Sequence, residues 1–173
     1  MGSGNGGLYF GTKGGSQPYK ELYEVVPDML RLDKQDSDIY SQKKGYFKNP
    51  TATDLLNSIS NGCVYIGGRV ASGLFTYVVS KGWRIIFGKR CNPNDINKRS
   101  PHPTLIGGKK PKVRCAGIID IRNGKILSVN NNSGHYRPNI ESLALVNNIL
   151  LDLYNKNKDV FDEQSNWRKN DKK

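Results

Sequence analysis

Residues 116–129 read AGIIDIRNGKILSV, and this stretch decides the fold. Two β-branched, apolar runs flank Asn123-Gly124, a dipeptide that strongly favours a two-residue β-hairpin turn. Asn139 follows as a candidate helix cap, and the apolar residues after it recur at the spacing of one helix face. Those residues are Leu143, Val146, Ile149, Leu150 and Leu153. The hairpin is therefore predicted to lead through a short polar turn into a C-terminal helix.

Upstream of the hairpin, helix-like segments come first and strand-like segments follow. Tyr19–Leu32 favours one helix or two, because Pro27 suits the first turn of a second helix. Residues 51–59 favour another short helix. The strand-like runs are β-branched or aromatic and lie at residues 64–66, 74–79 and 83–87. This order predicts the α+β class, with N-terminal helices, a central antiparallel β-meander of about four or five strands, and a C-terminal helix.

One domain is predicted, because 173 residues are enough for a single core and nothing requires a second. Residues 1–17 contain seven glycines and are predicted to be a flexible linker. The domain is expected to span 18–155, with 28–48 as an exposed polar connection, and 156–173 is predicted to be a polar, charged tail. Since no run of about 18 apolar residues occurs, no membrane segment is expected.

Positive charge is concentrated in one quarter of the chain. The formal net charge is +12, and residues 81–125 hold twelve Lys and Arg against two Asp, which accounts for +10 of it. Such a concentration favours a polyanionic partner, RNA or a ribonucleoprotein first, over a solvated basic face.

Several site types are not expected. The phosphate loop, the dinucleotide-binding glycine pattern and the zinc-protease motif are absent from the sequence. The three cysteines are odd in number and lack a C-x-x-C pair, which argues against a zinc site or a disulfide framework. No glutamate occurs between Glu24 and Glu141, which argues against a metal-dependent nuclease. We therefore expect no metal and no cofactor.

A polar turn, Ser133-Gly134-His135-Tyr136-Arg137-Pro138, follows the hairpin and gathers groups that can do chemistry. The other histidine, His102, lies in a long basic loop. Two imidazoles can divide acid and base duties near neutral pH, as cleavage of RNA by its own 2′-hydroxyl requires. The alternative is that both histidines only hold loops together.

Other side chains are expected to assist this pair of histidines. Thr104 and Tyr136 would orient the substrate or a proton, and Arg137 would help to hold phosphate. The remaining predicted substrate and phosphate contacts are Lys89, Arg90, Lys109, Lys110 and Ser133.

The spacing of these residues resembles a known block of sequence. His102-Pro103-Thr104-Leu105-Ile106-Gly107-Gly108, then Val113, Ala116-Gly117, Asn123-Gly124-Lys125 and Ser133–Pro138 resemble C-terminal toxin domains of bacterial polymorphic toxins. The block also looks like the last part of plant calmodulin-binding IQ-motif proteins. It covers roughly residues 83 to 153, and Pro103 departs from the His-Ser-Ser that such sequences more usually carry, while Thr104 keeps a hydroxyl. The likeness implies a domain delivered into a target cell, where it acts in the cytoplasm as a monomer.

The predicted order of elements also resembles the barnase-like toxin ribonucleases, in which a histidine after the last hairpin is the general acid. Only His135 matches that role, since the glutamate base of that group has no counterpart here. The leading interpretation is a metal-independent ribonuclease toxin acting on the translation machinery, with His135 and His102 as the acid–base pair. A cognate immunity protein with an acidic face is then expected as a partner.

Two alternatives remain open at this point. An ADP-ribosyltransferase toxin would use NAD as co-substrate to modify RNA or a translation protein, with Arg69 or His135 binding NAD and Glu141 as the catalytic acid. A non-enzymatic module that binds nucleic acid or protein would depend on the basic loop alone.

Overall fold

The computed structural model describes residues 15–92 and 95–171. Its α-helices are α1 (Pro27–Lys34), α2 (Leu143–Lys156) and α3 (Asn166–Asp171). Four 3₁₀ turns occupy Leu56–Ser58, His102–Leu105, Ile140–Ser142 and Lys158–Val160. The strands are β1 (Tyr40–Ser41), β2 (Gly45–Tyr46), β3 (Thr53–Asp54), β4 (Ile59–Ser60), β5 (Cys63–Ile66), β6 (Arg69–Val70), β7 (Gly73–Val79), β8 (Ile85–Gly88), β9 (Cys91–Asn92), β10 (Asp95–Arg99), β11 (Cys115–Arg122) and β12 (Lys125–Val129).

Five strands form the main antiparallel sheet, in the order β12-β11-β7-β8-β3. The hairpin turns at Asn123 and Gly124, whose φ values of 49° and 83° match the left-handed pair that such a turn requires. The long strand β11 pairs with β7 from Cys115↔Val79 to Ile121↔Gly73. The sheet is therefore built around β7 and β11, with the hairpin partner β12 at one edge.

Both faces of this sheet are covered, and the two covers differ. Helix α2 packs on one face through Val146, Leu150 and Tyr154, which are buried with the apolar residues of β7, β8 and β11. Loops cover the other face, where Tyr136 and Leu105 pack with Tyr23, Val78, Val113 and Ala116. The polar turn and the His102 loop thus lie on the sheet face opposite α2.

The α+β class is confirmed, with α2 as the helix after the hairpin. The described residues contain more strands than the four or five expected, because short hairpins surround the main sheet. Pro27 begins α1 as its position predicts, but Tyr19–Val26 is not helical and Tyr23 pairs with Val113 in an isolated bridge. Residues 51–59 form β3 and a 3₁₀ turn rather than an α-helix.

The ends of the domain differ from the linker (1–17) and the tail (156–173) that the sequence predicted. Residues 1–14 of the expected linker lie outside the described residues, while Gln17 donates its backbone N–H to the Arg137 carbonyl at 2.7 Å. After α2 the chain packs back on the domain, because Val160 and Phe161 are buried and Trp167 packs against the same core. In the described part of the chain, no helix is both long and apolar enough to cross a bilayer.

Candidate functional site

The side chain of His135, in the polar turn, is hydrogen-bonded to the carboxylate of Asp33. Its Nε2 lies 2.8 Å from Oδ2 of Asp33 and donates to it, while its backbone carbonyl accepts from Val26 N–H at 2.8 Å. The residue keeps 6% of its surface exposed, and Asp33 is fully buried. Within the described residues, Nδ1 of His135 makes no hydrogen bond. The imidazole is therefore oriented through one nitrogen, and the other is left for a further partner.

Asp33 receives several donors at the C-terminal end of α1. Tyr46 donates its hydroxyl to Oδ2 at 2.6 Å, and Arg99 Nη2 lies 3.4 Å from Oδ1. Burial alone would raise the pKa of Asp33, but the hydrogen bond and charge of His135, with Tyr46 and Arg99, outweigh it and leave the pKa below its usual value. Asp33 is therefore ionised at neutral pH, and a negative charge faces Nε2 of His135.

Tyr46 stays a hydrogen-bond donor at every physiological pH. Burial, followed by its bond to the Asp33 carboxylate, raises the pKa of its hydroxyl far above the usual value. Its ring is fixed by an edge-on contact with Tyr40, with ring centroids 5.1 Å apart.

Replacing Tyr46 with phenylalanine should destabilise the protein by about 2 kcal/mol, because Asp33 loses a buried donor to its charge. The pKa of Asp33 should rise at the same time, since that bond helps to lower it. Urea unfolding and a carboxyl NMR titration measure the two effects. Tyr40→Phe is the matched control, because no hydrogen bond of its hydroxyl is found among the described residues. Equal destabilisation by both changes would contradict a special role for the Tyr46 hydroxyl.

His102 has both ring nitrogens engaged inside the protein. Nε2 lies 2.7 Å from the Gly117 carbonyl, which can only accept, so Nε2 carries the proton. Nδ1 then accepts from the Ser133 hydroxyl at 3.2 Å. The ring is buried beneath the polar turn, with 7% of the residue exposed. This geometry braces the turn that carries His135 and leaves His102 no nitrogen for a substrate.

Burial lowers the pKa of His102 from 6.5 to about 4. The Gly117 bond opposes this shift, and the charges of His135 and Arg90 add to it. Between these pH values His102 is protonated in the unfolded chain and neutral in the folded chain. The free energy of unfolding therefore falls as the pH falls from 6.5 towards 4.

From pH 7 to pH 5 we expect wild type to lose about 2 kcal/mol more unfolding free energy than a His102→Gln variant. Urea unfolding of both proteins at the two pH values measures this difference. Parallel losses in the two proteins would contradict the assignment.

The other predicted catalytic side chains are largely tied to the backbone. Thr104 Oγ1 donates to the Pro101 carbonyl at 2.6 Å, and the buried Tyr136 hydroxyl donates to the Pro111 carbonyl. Burial, with the charge of Asp33, raises the pKa of Tyr136 far above its usual value. Thr104 and Tyr136 therefore shape the loops around His135.

Arg137 differs from these two residues. Its φ is +44°, an uncommon conformation for a residue other than glycine. Its buried Nε has no hydrogen-bond partner in the described part of the protein. This cation follows His135 by two residues in the chain and combines backbone strain with an unused buried donor, two features that are common at functional sites.

Of the predicted phosphate contacts, Ser133 is bonded to His102, and the four basic residues divide into two groups. Lys109 and Lys110 are exposed and line an open pocket of about 370 Å³ together with Lys34 and Tyr46. Glu24 also lines this pocket, and Tyr46 is the lining residue that hydrogen-bonds Asp33, whereas Asp33 and His135 are not among its lining residues. Lys89 and Arg90 come directly after β8, and the charge of Arg90 acts on His102.

The residues of the transferase alternative lie on other elements. Glu141 is exposed in the 3₁₀ turn before α2, where its backbone N–H donates to the side chain of the cap Asn139. Arg69 is exposed at the tip of the β5–β6 hairpin. No hydrogen bond or ion pair joins either residue to His135 within the described residues.

Sequence reasoning missed Asp33, Tyr46 and Arg99. The first two lie in the segment 28–48 that was expected to be an exposed connection. The available indication was helical spacing, because Leu30 and Asp33 follow at i and i+3 and so share one face of α1. A carboxylate on that face requires a buried partner.

Comparison with known proteins adds no assignment. No protein-family model, curated protein or solved structure matches the chain. The function must therefore be argued from the chemistry of the site.

Proposed function

We propose that this chain is the toxin domain of a delivered polymorphic toxin and acts as a metal-independent ribonuclease on RNA of the translation machinery. The observation that carries the proposal is the buried pair of His135 and Asp33, joined at 2.8 Å, whose hydrogen-bond partner Tyr46 lines a pocket with Lys34, Lys109 and Lys110. A carboxylate that fixes one imidazole nitrogen leaves the other as a directed base and stabilises the imidazolium that forms. The lysines supply an attraction for a phosphate backbone.

The reaction that fits this pair uses the substrate's own hydroxyl. Nδ1 of His135 takes the proton from a ribose 2′-hydroxyl as that oxygen bonds to the adjacent phosphorus. The bond from phosphorus to the 5′-oxygen breaks, and the imidazolium returns the proton to the leaving oxygen. The products are a 2′,3′-cyclic phosphate and a 5′-hydroxyl, so atoms and charges balance without a co-reactant.

This mechanism changes the roles expected from the sequence. Asp33 replaces His102 as the partner of His135, and His102 braces the turn from below. His135 acts first as base, whereas the barnase-like likeness implied an acid. Lys109, Lys110 and Arg137 are the cations that would offset the negative charge that builds on phosphorus.

A cognate immunity protein with an acidic face is part of the proposal. The chain carries +12, and Lys89, Lys109 and Lys110 are exposed. The positive charge would speed association with an acidic partner, and that partner would cover the cations that bind RNA. The toxin domain would act as a monomer in the cytoplasm of the target cell.

The proposed function is tested in a cell-free translation reaction that contains a metal chelator, with and without added NAD. We expect the purified protein to shorten RNA in both reactions. Inhibition that needs NAD and leaves RNA lengths intact would overturn the proposal in favour of ADP-ribosylation and direct attention to Glu141. Inhibition with intact RNA in both reactions would favour a binding module.

A further inference from the structure

An extended basic segment runs away from the candidate site. Tyr136 donates to the Pro111 carbonyl, and two residues later Val113 pairs with Tyr23 in an antiparallel bridge. Pro111 and Val113 are buried, whereas Lys110 is exposed and Lys112 and Arg114 are half-buried. Because alternate residues of an extended chain point to opposite sides, the three cations share the outer side.

Trp83 lies at the far end of this segment in an unusual conformation. Its φ is +65°, which a bulky side chain rarely adopts, and its side chain stays exposed, with 51% of the residue accessible. Arg114 stacks on the indole with its guanidinium carbon 3.9 Å from the ring centroid. Arg114 also donates to the Lys81 carbonyl at 2.9 Å, which fixes the pair on the Ser80–Arg84 turn. An exposed tryptophan is thus held rigidly beside a cation.

The charges along this surface are not neutralised by acids. Among the described residues, Lys110, Lys112 and Arg114 form no ion pair, and the partners of Arg114 are backbone carbonyls. Arg84 on the same turn is different, since Asp54 accepts from it at 2.6 Å. The outer side of the segment therefore keeps its full positive charge.

We propose that Lys110, Lys112, Arg114 and Trp83 form a track that binds single-stranded RNA leading away from His135. Two residues of extended chain span about 6.6 Å, which is close to the interval between phosphates in an extended strand. An unpaired base can stack on the exposed indole, whereas a base inside a duplex has no free face. The inference rests on the proposed function, because it takes RNA as the substrate, and it adds that the substrate is single-stranded beyond the cleaved bond.

Binding is measured with the full chain carrying His135→Gln, so that the RNA stays intact. A labelled single-stranded oligonucleotide and a duplex of equal length are titrated over a range of salt concentrations. Trp83→Asn removes the ring with a residue that tolerates positive φ, and Trp83→Phe keeps an aromatic face. The triple variant Lys110→Gln, Lys112→Gln, Arg114→Gln removes the cations. The matched control, Arg31→Gln, Arg69→Gln, Arg122→Gln, removes three exposed cations that lie on α1 and at the β5–β6 and β11–β12 hairpins.

We expect Trp83→Asn to weaken single-strand binding at least about fivefold, with Trp83→Phe restoring most of it and duplex binding unchanged. The track triple variant should lower the salt slope by about 2, since each phosphate contact contributes about 0.7, and the control triple variant should lower it by less. Quenching of Trp83 fluorescence by RNA should disappear in both Trp83 variants.

Equal affinities of the His135→Gln parent with and without Trp83→Asn, or equal slopes of the two triple variants, would overturn the track. Competition by polyglutamate as strong as by RNA would also overturn it, because it would show a general anion surface. If RNA is cleaved but the track variants bind normally, the track alone fails. If RNA is never cleaved but the expected binding differences appear, the proposed ribonuclease fails and the track stands.

Discussion

Replacing His135 with glutamine is expected to lower the rate of RNA cleavage by a factor of about 10² to 10⁴, the range that an acid–base group contributes. Within the described residues, Nδ1 of His135 makes no hydrogen bond, whereas Nδ1 of His102 accepts one from Ser133. Glutamine can still donate to Asp33 but cannot carry a proton to and from the substrate. Cleavage of a defined RNA under single-turnover conditions measures the change, and thermal unfolding confirms that the variant folds.

His102→Gln is the matched change at the other histidine. We expect it to reduce stability, and to reduce cleavage by less than about tenfold per folded molecule, because His102 acts on the turn and not on the substrate. A loss of cleavage rate as large as that of His135→Gln would contradict the purely structural role of His102. It would favour the acid–base pair of two histidines that the sequence predicted. An active His135→Gln variant would remove His135 from the mechanism altogether.

Replacing Gly117 with alanine is expected to lower the free energy of unfolding by about 3 kcal/mol or more. A Cβ atom at this position would clash with the backbone oxygen of Asn130, so the backbone must move. That oxygen also accepts the Tyr77 hydroxyl at 2.6 Å, and the Gly117 carbonyl accepts from His102. Displacement of this strand would therefore disturb the sheet and also the hydrogen bond through which His102 supports the turn that carries His135.

Gly82→Ala is the control for this substitution. The nearest atom to its added Cβ would be the Ser80 hydroxyl oxygen at 3.8 Å, an ordinary contact. We expect a change of unfolding free energy within about 0.5 kcal/mol. Urea unfolding of the three proteins measures both effects, and similar stabilities for the two variants would show that the sheet accommodates the extra methyl group.

Turn and cap residues predicted the local structure correctly at three places, whereas the helices expected at Tyr19–Val26 and 51–59 are not formed. Asn123-Gly124 forms the turn of its hairpin, Pro27 begins α1, and Asn139 caps the 3₁₀ turn that leads into α2. Each of these features depends on the φ preference or the side-chain oxygen of one or two residues. The sequence order of the strands did not predict the sheet order, because β11 pairs with β7 rather than with β8, the strand of this sheet that comes before it in the chain. Pairing between distant strands depends on long-range packing.

The candidate site was only partly visible for the same reason. His135 stood out through its neighbours in the chain, but Asp33 lies 102 residues earlier, on a segment whose overall polarity suggested exposure. His102 and Ser133 were both selected as reactive groups, and the structure joins them to each other. Residue type alone could not distinguish a nitrogen that faces a substrate from one that holds a backbone carbonyl.

The most direct measurement uses two synthetic RNA strands that are identical except at one nucleotide. The second strand carries a single 2′-deoxy nucleotide on the 5′ side of the bond that is cut in the all-ribose strand, and a metal chelator is present in both reactions. We expect a 2′,3′-cyclic phosphate from the first strand and no cleavage at that bond in the second. Cleavage of both strands at the same bond and rate would contradict attack by the 2′-hydroxyl and the role of His135 as its base.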